Sequence, residues 1–261
     1  MDCETHATFT CDLRGKAALV TGGSGGIGAH LASVLADAGA RVAVGARRVD
    51  QLAEVVDAIA NVGGTALALH LDVTDQHSID DAFARAEVEL GTINVLVNNA
   101  GIAIAQPALE IEAADWDRVI ATNLRGPFLA AQAFARRLVA RKAPGSIINV
   151  GSIMGERVAA GVASYTASKA ALLQLTRALA LEWARYGIRV NAIAPGFIET
   201  DINRGFFETD AGAATLKRIP QRRLGKLEDL DAVVLLLASD ASAYMTGAVV
   251  PIDGGHLVST L

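Results

Sequence analysis

Apolar and polar positions alternate between two rhythms along the chain. Short runs rich in Val, Ile, Leu and Ala recur as "KAALVT" (16–21), "RVAVGA" (41–46), "TALALHL" (65–71), "INVLVN" (93–98), "SIINVG" (146–151), "RVNAIAP" (189–195) and "AVVPI" (248–252). Several are apolar at odd and even positions alike, the pattern of strands buried on both faces of a parallel sheet. The segments between them space their apolar residues near 3.6 and are long enough for crossover helices. This alternation predicts an α/β fold: a doubly wound, seven-stranded parallel sheet with right-handed crossovers and helices on both faces. No Pro/Gly/Ser-rich linker and no internal repeat divides the chain. The expected organisation is therefore a flexible tail at 1–12 and one domain at 13–261. The segment at about 196–225, which includes "GFIETDINRGFFETDAG", breaks the rhythm and is expected to be a substrate lid.

Composition narrows the function. Of the 261 residues 52% are hydrophobic, enough for a sizeable core. The net charge of −5 offers no basic face for nucleic acid. No apolar run approaches the roughly 20 residues that span a membrane, and the polar start "MDCETHATFTCDLRG" lacks the features of a secretory signal. A cytoplasmic protein is expected, with Cys3 and Cys11 as free thiols. Neither a CxxC pair nor HExxH is present, so no metal is expected.

The first strand runs into "TGGSGGIGAHLASVLADAG", with Gly22, Gly26 and Gly28 spaced G-x-x-x-G-x-G and a helix starting near Ile27. Glycines here permit a tight turn and close approach of a pyrophosphate to the backbone. The free N–H groups and positive dipole end of the helix then face the phosphates. Ser24 and Ile27 belong to the same cradle. An NAD site usually carries an acid at the end of the second strand; here "VGARRVDQL" offers Arg47 and Arg48 and no acid before Asp50. An arginine pairs with the 2′-phosphate of NADP, so NADP(H) is expected over NAD(H). In "LDVTD", Asp72 is a candidate partner for an adenine amino group with Val73 against the ring, while Thr74 or Asp75 suits a helix cap. "NNAG" (98–101) closes the fourth strand. Asn98 can tie strands together, and Asn99, Ala100 and Gly101 leave room for the cofactor.

"SYTASKAALL" (164–173) sets Tyr165 and Lys169 four residues apart, on one face of a helix. Ser152 ends the fifth strand in "NVGS", and Asn123 lies in "TNLRGPF", in the helix after the fourth strand. In open α/β sheets ligands bind beyond the carboxyl ends of the strands, where these four side chains converge. An ammonium beside a phenol favours the phenolate, so Lys169 is expected to lower the pKa of Tyr165 and fit it for general acid–base work.

Taken in order, "TGGSGGIG", "LDVTD", "NNAG", Asn123, Ser152, "YTASK" and "PG" (195–196) resemble the short-chain dehydrogenase/reductase family from about Leu13 to the end of the chain. The resemblance implies a Rossmann-type sheet and hydride transfer between nicotinamide and a carbonyl carbon. Tyr165 would exchange the proton at the substrate oxygen. Lys169 would tune Tyr165 and bond the nicotinamide ribose, Ser152 would hold the substrate oxygen, and Asn123 would hold a relay water. Pro195 and Gly196 would lie along the nicotinamide, Thr200 would reach its carboxamide or the pyrophosphate side, and Ile198 would also belong to the cofactor site. The resemblance further implies a homotetramer built on the two alanine-rich helices expected at about 113–140 and 164–186. One departure stands out: where many NADP-using members carry a basic residue in the glycine turn, this chain has Gly25. That leaves Arg47, helped by Arg48, to read the 2′-phosphate.

Ile102, Ile104, Met154, Val158, Phe197 and Phe206 are candidates for the substrate pocket, and they suggest a small-molecule ketone or secondary alcohol with a hydrophobic body. Glu156 and Arg157 read as a solvated salt pair, and Arg136, Arg137, Arg141 and Lys142 as a basic helix end that needs no ligand. The tail after "PIDGGH" is expected at a subunit contact, with His256 near a neighbour. Two other functions compete: a 3-oxoacyl thioester reductase acting on acyl carrier protein, and a dinucleotide-binding sensor without catalysis. The sensor would have lost part of the Ser–Tyr–Lys–Asn set, which is complete here.

Overall fold

Residues 11–199 and 209–259 are described by a computed structural model. Seven strands form one parallel sheet: β1 (Ala17–Thr21), β2 (Arg41–Ala46), β3 (Thr65–His70), β4 (Val95–Asn98), β5 (Gly145–Val150), β6 (Ile188–Pro195) and β7 (Val249–Ile252). Their order is β3-β2-β1-β4-β5-β6-β7. The doubly wound Rossmann-like sheet read from the apolar pattern is thus the observed one. The order reverses between β1 and β4, whose register runs from Ala18↔Val95 to Val20↔Val97. A crevice opens at such a switch point.

Alternate residues of each strand feed two cores. Leu19, Leu96, Ile147 and Val190 point to one face. There they meet α3 (Gln76–Leu90), α5 (Gly126–Arg141) and α6 (Ala163–Trp183), with Phe83 and Phe134 fully buried and 6.4 Å apart. Val20, Val44, Val97, Ile148 and Ile193 point to the other face. They meet α1 (Gly26–Asp37), α2 (Val49–Asn61) and α8 (Asp231–Ala238). Each fully buried side chain of this size stabilises the fold by about 1.5–3 kcal/mol relative to exposure.

Local chemistry sets the helix ends. Asp75 caps α3 by accepting the N–H of His77 at 2.9 Å, as the competing reading of "LDVTD" anticipated. The helix expected at 113–140 is two helices, α4 (Ala113–Ile120) and α5, joined by a π turn over Ala121–Arg125. Such wide turns concentrate at functional sites. The basic end of α5 is taken up within the chain: Arg141 chelates Glu87 at 2.6 and 2.9 Å, and Arg137 reaches Asp80 at 3.2 Å.

Part of the segment expected as a lid is helical, α7 (Asp210–Arg218), with Thr209 accepting the N–H of Gly212. Residues 200–208, and with them Thr200 and Phe206, lie outside the described residues, as does Cys3. Cys11 is a free thiol. No helix among the described residues is long and apolar enough to cross a membrane.

Candidate active site

The crevice beside β1 is built by hydrogen bonds that cross the switch point. Asn99 Nδ2 donates to the carbonyls of Thr21 (3.1 Å) and Gly22 (2.9 Å), fixing the glycine turn. Thr21 Oγ1 in return accepts the backbone N–H groups of Asn99 and Ala100, both at 3.1 Å. Gly22 has φ +67°, and a Cβ there would come 2.7 Å from Ala100 Cα. A Cβ on Gly28 would lie 2.3 Å from Asn99 Nδ2 and 2.4 Å from the Gly22 carbonyl oxygen. Only glycine fits either place. The first turn of α1 carries no acidic residue and no side-chain cap, so its N–H groups face the crevice unspent.

From this turn a cleft of about 460 Å³ runs to Arg47, Arg48, Asp72 and Val73 on one side and to Asn99, Ala100, Gly101 and Ile102 on the other. Ser24, Gly26 and Ile27 line it too. Arg47 and Arg48 are exposed and make no ion pair or hydrogen bond among the described residues. Asp72 Oδ1 is occupied by Thr74, which donates its N–H (2.9 Å) and hydroxyl (2.7 Å). Burial alone would raise the Asp72 pKa, but these bonds and the charges of Arg47 and His70 hold it below the usual value. A carboxylate and two guanidinium groups without ion pairs among the described residues thus face one end of a cleft that has a phosphate cradle along its length. That donor set fits an adenine dinucleotide carrying a 2′-phosphate.

Beyond Gly101 the cleft meets the four polar side chains. A Cβ on Gly101 would sit 3.4 Å from Asn123 Oδ1 and 3.6 Å from Lys169 Nζ. Asn123, inside the π turn, is fully buried. Its Nδ2 donates to the Ile102 carbonyl (2.8 Å) and to Ser168 Oγ (3.0 Å), and its Oδ1 accepts the Ile102 N–H (2.8 Å). Both amide hydrogens are spent on protein groups, so this side chain pins the loop after β4. Ser152 is buried at the end of β5, where its Oγ accepts the Met154 N–H at 3.1 Å. Lys169, only 4% exposed, donates to the Val150 carbonyl at 2.7 Å, and its Nζ lies 5.6 Å from the centre of the Tyr165 ring.

The electrostatics correct one expectation. Burial raises the Tyr165 pKa above that of a free phenol, while a hydrogen bond with Ser152 pulls it partly back. Lys169 does not lower it here, because the ammonium is turned to a carbonyl and is itself disfavoured. Burial brings the Lys169 pKa down from 10.5 to about 8. The sign gives a stability prediction. Between about pH 8 and 10.5 the folded chain has released a proton that the unfolded chain still holds, so stability rises with pH across that window. Lys169→Met lacks this dependence. The unfolding free energy of the natural protein relative to Lys169→Met should rise by on the order of 3 kcal/mol from pH 8 to 10.5, measured by urea denaturation. A difference that stays flat with pH would show that the lysine is not held in this state.

Other sequence readings change as well. The Ile198 side chain is buried in the core cluster that includes β1 and α8. Val158 is 81% exposed among the described residues. Ile102, Ile104, Met154 and Phe197 are half-buried. Pro195 is buried at the end of β6, and a Cβ on Gly196 would meet Asp253 Cα at 2.8 Å. Arg157 makes no pair with Glu156; it donates to the carbonyl of His256, whose ring packs on Phe197. Sequence reasoning missed Thr21 and Thr122, a bracing residue and a cleft wall, for want of any motif around them. No cluster of three or more His, Cys, Asp or Glu side chains among the described residues could hold a metal ion.

A phosphate cradle at the switch point of a parallel sheet, opening onto a half-buried tyrosine and a buried lysine and serine, defines a dinucleotide-dependent oxidoreductase. The comparisons agree. The chain belongs to the short-chain dehydrogenase/reductase family. A family model described as enoyl-(acyl carrier protein) reductase matches residues 22–256. Gluconate 5-dehydrogenase of Gluconobacter oxydans (strain 621H) is 38% identical over 248 residues, 95% of this chain and 96% of that protein. The L-tagatose-forming galactitol 2-dehydrogenase of Cereibacter sphaeroides is 42% identical over 251 residues, 94% of this chain and 96% of that protein. Among solved structures, a gluconate 5-dehydrogenase from Burkholderia cenocepacia J2315 in complex with NADP and tartrate superposes with a TM-score of 0.91. It is 36% identical and covers 96% of this chain and 98% of its own.

Proposed function

We propose that this protein is an NADP(H)-dependent dehydrogenase that interconverts a secondary alcohol and its ketone, with Tyr165 as the general acid and base. The observation that carries the reading is the meeting of Ser152, Tyr165 and Lys169 where Gly101 ends the cleft that Arg47 and Arg48 begin. NADP(H), when bound, supplies or accepts the hydride. Gly22, Ser24, Gly26, Ile27 and Gly28 would hold its pyrophosphate, and Arg47 with Arg48 its 2′-phosphate. Asp72, Val73, Asn99, Ala100 and Gly101 would line the adenosine and ribose path, with Pro195 and Gly196 beside the nicotinamide.

Ser152 positions the substrate oxygen by hydrogen bonding. Tyr165, a neutral phenol below its raised pKa, gives its proton to that oxygen as the carbonyl is reduced. Lys169, with an ammonium already destabilised by burial, would hold a ribose hydroxyl of the bound cofactor and bring positive charge to the forming phenolate. Asn123 keeps the loop after β4 in register with α6. Ile102, Ile104, Met154 and Phe197 offer the apolar wall for the body of the substrate. A homotetramer is the assembly that goes with this reading, checked by light scattering.

A polyhydroxylated substrate is the second reading, favoured by the gluconate and galactitol dehydrogenases that the chain resembles. NADPH and NADH oxidation across cyclic, aromatic, sugar-acid, polyol-derived and acyl-thioester ketones tests both. Turnover with NADPH supports the proposal, and the ketone that serves best separates the two. NADPH binding without turnover of any class would restore the sensor reading.

A further inference from the structure

The last turn of the described chain is organised by Asp253. Its carboxylate accepts the backbone N–H groups of Gly255 (2.9 Å) and Leu257 (2.6 Å) and leads into one 3-10 turn over His256–Val258. Gly255, at φ +86°, lets the chain reverse; a Cβ there would come within 3.1 Å of Pro220 Cγ. The reversal lays His256 onto two separate segments.

On one side the His256 ring, 6% exposed, packs on Phe197 with centroids 5.7 Å apart. Phe197 directly follows the Pro195–Gly196 end of β6. On the other side Arg157 Nη1 donates to the His256 carbonyl and, at 2.9 Å, to Ser259 Oγ. Ser259 Oγ also donates to the His256 carbonyl at 2.9 Å, closing a three-membered network. Arg157 stands on the loop that Ser152 opens. The same loop packs on the catalytic helix, since a Cβ on Gly155 would lie 3.1 Å from the Lys169 carbonyl. No carboxylate pairs with Arg157 among the described residues; its bonds go to a backbone carbonyl and a hydroxyl of the tail. A hydrogen bond from a cation to a carbonyl is stronger than a neutral one, and a planar guanidinium can serve two acceptors at once.

We infer that Arg157 is a positioning residue of the substrate site. By clamping the C-terminal turn to the Ser152 loop it fixes Phe197, and with it the segment that follows Pro195 and Gly196, within a single chain. The inference rests on the reaction proposed above. Arg157 acts at a distance from the Tyr165 hydroxyl, so its loss should weaken substrate binding more than the chemical step.

The test uses the best ketone of the panel, with NADPH. Arg157→Ala should raise KM about tenfold or more while kcat stays within about threefold and NADPH binding is unchanged. Arg157→Lys should recover part of the loss, because an ammonium can hold the His256 carbonyl but not the fork of acceptors. A chain ending at Gly255 should reproduce the Arg157→Ala effect, and combining the two should add little, since both remove one link. Ser259→Ala, the mildest change, guards against a variant that fails to fold and should shift KM in the same direction. An unmoved KM in Arg157→Ala, or effects of Arg157→Ala and the truncation that multiply independently, would overturn the inference. A natural protein that turns over no ketone refutes the proposed function instead, and this inference falls with it.

Discussion

Tyr165→Phe is expected to cut kcat/KM for carbonyl reduction by about a hundred- to ten-thousandfold, the range that positioned general acids contribute. The substitution keeps the half-buried ring and its packing and removes one oxygen. That oxygen is the only atom of the residue able to give a proton to the substrate. Because the hydroxyl makes no hydrogen bond of full strength among the described residues, unfolding stability should change by about 1 kcal/mol or less. NADPH affinity, read by fluorescence titration, should stay within a few-fold, since the glycine cradle and the arginines are untouched. A rate close to that of the natural protein would remove Tyr165 from the chemistry whatever its surroundings.

The second large effect lies at the other end of the cleft. Arg47→Glu places a carboxylate where the account puts a 2′-phosphate, and beside Asp72. Loss of a charge-assisted contact worth about 1.5–3 kcal/mol should lower the NADP preference, taken as the ratio of kcat/KM with NADPH to that with NADH, by about tenfold to hundredfold. Activity with NADH should survive, because that cofactor lacks the phosphate. Arg48→Ala should act in the same direction and more weakly. A ratio that does not move in Arg47→Glu would mean that the exposed guanidinium is solvated and reads nothing.

Much of this site was legible in the chain because its constraints are local. Strands apolar on both faces announced a buried parallel sheet, and a strand followed by "TGGSGGIG" announced a cradle in which Gly22 and Gly28 admit no side chain. The i, i+4 spacing of Tyr165 and Lys169 sufficed to place both on one helix face. What stayed hidden depends on distance or depth. The π turn that drives Asn123 into the interior leaves no mark in "ATNLR", which reads as ordinary helix. The pKa of Tyr165 turns on burial and on where the Lys169 ammonium points, and neither can be read from spacing. The side chain of Ile198, next to the "PG" turn, points into the core, a direction its place in the sequence does not reveal. Arg157 and His256 stand 99 residues apart, so a salt pair with adjacent Glu156 was the natural reading.

The central claim is that hydride moves between NADP(H) and a carbonyl carbon while Tyr165 handles the proton. NADPH carrying deuterium at both C4 positions tests it most directly, with the product alcohol analysed by mass spectrometry. The account predicts one deuterium on the carbinol carbon for the natural protein and product formation lost in Tyr165→Phe. An alcohol formed without deuterium, or labelled equally well by the phenylalanine variant, would contradict it.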